Sequence, residues 1–150
     1  MNGTRRIVLA NIILALLITT HLQAQQCTSR TTFGRYLVRC EGYLSLAPGA
    51  PQVPAKTLGT ATADRNSHFT GSGSVSLGGA IVTQTVSGTA DINPDCTGTI
   101  TYAQTINGQP GPPIDIAFVV SEGGDKIDGL VTDPGSTYSC RLSRLSKPER

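Results

Sequence analysis

The side chains in this chain that can react, ligate a metal or cross-link are four cysteines, two histidines and a scatter of carboxylates. Cys27, Cys40, Cys96 and Cys140 are widely spaced and form no Cys-x-x-Cys pair. That pattern argues against zinc and thioredoxin-type redox chemistry and for two disulfides. His21 lies in the leading segment, so His68 is the one histidine of the body of the chain. A metal site built on two or more histidines is thereby removed. No serine sits in a Gly-x-Ser-x-Gly elbow, so His68 has no evident nucleophile to activate and reads as a surface residue. Asp64-Arg65-Asn66 and the stretch from Glu122 to Asp128 place acidic oxygens near glycines. Neither keeps the ligand spacing of an EF-hand, and both suit hairpin turns. Asp91, Asp115, Asp128 and Glu41 could pair for acid–base catalysis, but each falls on the polar face of its segment and reads as solvated charge. No catalytic residue, metal or cofactor is therefore expected.

The elements that would position these residues are strands. The body of the chain is rich in Thr, Gly, Ser and Val, a composition that disfavours helices. Apolar residues recur at a period of two. Phe69, Gly71, Gly73, Val75 and Leu77 share one face of residues 68–77, against His68, Thr70, Ser72, Ser74 and Ser76. Residues 97–106 and 114–120 behave alike. The same rule predicts eight strands at about 34–44, 56–63, 67–77, 80–92, 97–106, 113–121, 125–132 and 136–143. Turn residues separate them, among them Gly78-Gly79, Asn107-Gly108 and Asp133-Pro134-Gly135. Residues 45–55, with Pro48, Pro51 and Pro54, read as one long loop.

Short connections make consecutive strands antiparallel neighbours. An eight-stranded meander removes its exposed edges by closing, so the expected fold is an all-β, up-and-down antiparallel barrel. A sandwich and a Thr/Gly-rich solenoid compete with it; irregular spacing of the repeated pieces counts against the solenoid. Glycines at 34, 42, 71, 73, 88, 98 and 129 fall on the apolar face, where they let strands coil tightly or leave space inside. Tyr36, Tyr102 and Tyr138 share that face, with Gln84 and Gln104. An apolar interior with a few polar tips is how small-molecule sites are built, so these five are the expected ligand-binding residues. The alternative is that they fill the barrel and bond one another. Closure makes the first and last strands neighbours and puts residue 27 at the same end as the turn at 96. Of the three connectivities, Cys40–Cys140 with Cys27–Cys96 is favoured.

Residues 1–24 read as a signal peptide: Arg5 and Arg6, an uncharged apolar run from Ile7 to Thr20, then the exit Leu22-Gln23-Ala24. The run is shorter than the roughly 20 residues of a membrane span. Residues 25–145 are then the barrel domain and 146–150 a polar, disordered tail. The chain is expected to be secreted or periplasmic. Without Arg5 and Arg6, ten basic residues balance ten acidic ones, so there is no electrostatic footprint for nucleic acid or for a membrane surface.

Several strings resemble a group of small bacterial exported proteins that is similar to allene oxide cyclase-like, calycin-type β-barrels. They are Gly34-Arg35-Tyr36, Asp64 to Gly71, Val86-Ser87-Gly88-Thr89, Asn93 to Thr99 and Thr132-Asp133-Pro134-Gly135. Arg65 and Ser67 stand where that group has a glycine-rich turn. The strings are strand and turn signatures, and none of the plant cyclases' catalytic residues maps onto this chain. The resemblance implies a barrel that binds a small apolar molecule. The alternatives are a cyclase or isomerase acting on a lipid-derived substrate, and a structural or surface-interaction protein without a ligand.

Overall fold

Alternation at a period of two gives each strand one face for the core and one for water, and the computed structural model, which describes residues 26–47 and 49–146, follows that pattern. Residues 1–24, expected to be a signal peptide, and residues 147–150 of the expected tail lie outside the described residues. A short helix α1 (Ser29–Thr32) is followed by β1 (Gly34–Ser45), β2 (Gln52–Ala63), β3 (His68–Leu77), β4 (Ala80–Ile92), β5 (Thr97–Ile106), β6 (Gln109–Pro110), β7 (Ile114–Ser121), β8 (Lys126–Val131) and β9 (Thr137–Ser146). A 3-10 turn at Glu122–Gly124 links β7 to β8.

Every neighbouring pair is antiparallel, and the strands form one closed ring. β1 pairs with β9, from Tyr43↔Thr137 to Arg35↔Ser146, and β4 pairs with β5. The two-residue β6 adds only Thr105↔Pro110 and Ile106↔Gln109. The eight long strands thus form a closed up-and-down barrel without a free edge.

The turns have local causes. Gly78 and Gly79 (φ 56° and 93°) form a two-residue hairpin turn that needs positive φ at both positions. Asp64 holds the next turn back by accepting from the backbone N–H groups of Asn66 and His68. The loop expected over residues 45–55 is shorter than predicted, because β2 already begins at Gln52, opposite Ser45. Pro54 has no N–H, yet it is tolerated within β2, and its carbonyl accepts from the N–H of Gly78. β9 runs to Ser146, where the tail was expected to begin; the pairing with Arg35 extends it.

Both disulfides, Cys27–Cys96 and Cys40–Cys140, are formed. They place the folded chain in an oxidising, extracytoplasmic environment.

The core is lopsided. Its bulk comes from β7, β8, β9 and β1: Ile116, Phe118, Val120, Ile127, Val131, Tyr138, Tyr36 and the Cys40–Cys140 bridge. Many inward positions of β2, β3 and β4 are small instead, with Gly59, Ala61, Gly71, Gly73, Gly88 and Ala90 set among larger residues such as Phe69, Val75 and Val86. Gly59 and Gly73 face each other across the β2–β3 ladder. A Cβ on Gly59 would stand 2.4 Å from the Ser72 carbonyl oxygen, and one on Gly73 would stand 2.6 Å from that of Leu58. These glycines therefore let two backbones coil closely, and they also leave the interior on their side unfilled.

Candidate ligand cavity

Small residues on one wall and large ones on the other leave a cavity of about 450 Å³ inside the barrel. Val38, Val75, Val86, Ile100, Ile116 and Phe118 are among its apolar lining, and among the described residues no Asp, Glu, Lys, Arg or His is part of the lining. Tyr36, Gln84, Tyr102, Gln104 and Tyr138 all reach it, so the strand phase read from the sequence brings the five expected residues to one space.

Their polar tips have different fates. Tyr36 is 1 % exposed, and its hydroxyl is 2.9 Å from the Thr32 carbonyl and 2.8 Å from the Gly124 carbonyl. Burial is the main reason its pKa is pushed up to about 12; nearby Arg144 opposes the shift and Asp125 adds to it. The Tyr138 hydroxyl bonds the Thr57 hydroxyl at 2.6 Å. Burial raises its pKa too, against that hydrogen bond. Gln104 is consumed on both sides. Its Nε2 donates to the Pro112 carbonyl, which can only accept, so its Oε1 faces and accepts from Gln84 Nε2 at 2.6 Å. That order leaves Gln84 Oε1 with no donor among the described residues.

Tyr102 differs from the other two phenols. Its ring packs edge-on against Phe69, with centroids 6.3 Å apart, but its hydroxyl makes no hydrogen bond among the described residues. Among the described residues no buried side-chain oxygen or nitrogen lacks a partner, so this hydroxyl stands open to the space it lines rather than sealed in packing. Burial raises its pKa strongly, reinforced by Tyr138 and by the Asp133 carboxylate.

One end of the barrel is locked by a residue that the sequence reading did not single out. Arg144 bonds the carbonyls of Thr31, Phe33 and Gly124, pairs with Asp125 at 3.1 Å and lies over the Tyr36 ring at 5.3 Å from its centroid. Its phase supplies the missing signal: Tyr138, Cys140, Leu142 and Arg144 alternate onto one face, and a charge there demands buried partners. Thr57, which bonds Tyr138, was legible by the same rule, because it shares a face with Ala55, Gly59 and Ala61.

The other candidates do not assemble. His68 is exposed, with its Nδ1 3.0 Å from the Thr89 hydroxyl. Glu41 faces Lys56, Asp128 pairs with Arg141, and Asp115 accepts from Thr101, all on the outer surface. Asp91, opposite Thr99, is exposed as well. Among the described residues no group of three His, Cys, Asp or Glu side chains could hold a metal.

The three buried phenols carry a consequence for pH. Their protons are held more tightly in the folded chain than in the unfolded one. The stability this contributes is complete below about pH 10 and is lost as the pH rises, through about 12 for Tyr36. An ultraviolet phenolate titration is expected to show Tyr36, Tyr102 and Tyr138 ionising late and together with unfolding. Ionisation of all three near pH 10 with the fold intact would contradict this.

No family model, no curated protein and no solved structure matches this chain.

Proposed function

We propose that this barrel is an exported binding protein, secreted or periplasmic, that holds a small and predominantly apolar molecule in its interior. The observation that carries the proposal is the cavity of about 450 Å³ with apolar walls and no charged side chain. Ligand sites commonly measure roughly 300–1,000 Å³ and are lined in this way. Each methylene moved from water into such a space gains about 0.8 kcal/mol. The titratable groups on the wall are Tyr36, Tyr102 and Tyr138, each with a raised pKa and so protonated near neutral pH. A carrier needs no acid–base pair beyond them. The resemblance to calycin-type, allene oxide cyclase-like barrels agrees with this reading, since an eight-stranded meander with room inside suits a single ligand.

The test is a titration of the purified, oxidised protein with the apolar fluorophore N-phenyl-1-naphthylamine. Saturable binding with enhanced emission is expected. Val86→Phe, which places a ring in the cavity, is expected to reduce the affinity at least about tenfold. Its cost in stability should stay under about 2 kcal/mol, because the ring enters open space rather than packed core. The proposal fails if the fluorophore does not bind saturably, or if Val86→Phe leaves its affinity unchanged.

A further inference from the structure

We infer that the occupant is uncharged and carries an oxygen acceptor, as in a ketone, aldehyde, ester or alcohol on an apolar body, which the Tyr102 hydroxyl engages, and that carboxylates are rejected. This rests on the binding reading above and names its ligand class.

The chemistry of the wall is selective by what it has already used. Tyr36 and both polar ends of Gln104 are bonded within the protein, Tyr138 and Thr57 share one hydrogen bond with each other, and Gln84 Oε1 adds only an acceptor, which an anion would not satisfy. The Tyr102 hydroxyl is the phenol left to donate. An apolar molecule with one acceptor oxygen satisfies it without exposing a second polar group to the apolar walls. A fatty-acid anion would meet no cation. Arg144, a buried cation, stands behind the Tyr36 ring with its guanidinium bound to three carbonyls and Asp125. The charge that Tyr102 does sense is negative, from Asp133, and it would repel an anion. A carboxylate would shed its hydration without compensation.

The test is displacement of bound N-phenyl-1-naphthylamine by undecan-2-one and by decanoate, at about pH 8, where the acid is ionised. The ketone is expected to displace the probe at a concentration lower by roughly a hundredfold. Tyr102→Phe is expected to weaken the ketone by roughly five- to tenfold, the worth of one hydrogen bond, when the ketone's affinity is calculated with the probe affinity measured on the same variant. If the probe itself does not bind, the binding reading fails and this inference falls with it. If the probe binds but decanoate competes as well as the ketone, the binding reading stands and the inference is overturned. The same holds if Tyr102→Phe leaves the ketone unaffected.

Discussion

Arg144→Leu is expected to destabilise the fold by about 3–5 kcal/mol, the range found when one member of a buried charged network is removed. The side chain of Arg144 is only 6 % exposed, yet it ends on the carbonyls of Thr31, Phe33 and Gly124 and on Asp125. Leucine leaves the Thr31 and Phe33 carbonyls without this donor in a partly buried region, while Gly124 keeps the Tyr36 hydroxyl, and each orphaned group costs about 1–3 kcal/mol. The Asp125 end matters less, because its carboxylate is 57 % exposed and stays hydrated; Asp125→Asn is expected to cost under about 1 kcal/mol. Arg144→Lys should recover less than half of the loss, because an ammonium cannot span three carbonyls set around a planar guanidinium. Denaturant unfolding of the three variants measures all of this. A loss below about 1 kcal/mol for Arg144→Leu would show that the barrel end does not depend on this residue. A further consequence is local. α1 and the turn at Glu122–Gly124 meet through these bonds, so amide exchange there should quicken before the rest of the barrel responds.

Replacing both Cys40 and Cys140 by alanine is expected to cost about 4–5 kcal/mol, the entropy released to the unfolded chain when a loop of this length is opened. The bridge spans a sequence separation of 100 and joins β1 to β9 at directly opposed positions. These are the first and last strands of the meander, so the bridge fastens the seam at which the barrel closes. The melting temperature should fall by roughly 10–20 °C, read by calorimetry on the oxidised protein and on the variant. The ladder from Arg35↔Ser146 to Tyr43↔Thr137 remains, so the variant should still fold at low temperature. A fall of only two or three degrees would mean that the ladder alone sets the seam, with the disulfide adding little.

Strand positions, inward and outward faces, both disulfides and the five cavity residues were legible in the sequence, and for one reason. A strand has a side-chain period of two, so parity alone assigns a residue to the inside or the outside once the strand is recognised. Turn pairs such as Gly78-Gly79 punctuate the strands, and short connections dictate antiparallel order. Cys40 opposite Cys140 follows once the meander closes, because closure makes its first and last strands neighbours.

Parity does not say what lies beyond a residue's own strand, and there only the tertiary structure decides. The inward glycines could have meant a tightly coiled, filled barrel or a hollow one. The answer depended on bulk being concentrated on β7, β8, β9 and β1 while β2 to β4 carry glycine and alanine at many of their inward positions, a difference summed across seven strands. The fate of each polar tip was equally hidden. Gln104 is spent on Pro112 and Gln84, Tyr138 on Thr57 and Tyr36 on two carbonyls, whereas Tyr102 is left over. These partners sit as far as 88 residues away in the chain, and hydrogen bonds turn on tenths of an ångström. Alternation along a strand determines which side chains enter the barrel, and three-dimensional closure determines which of them remain available to a ligand.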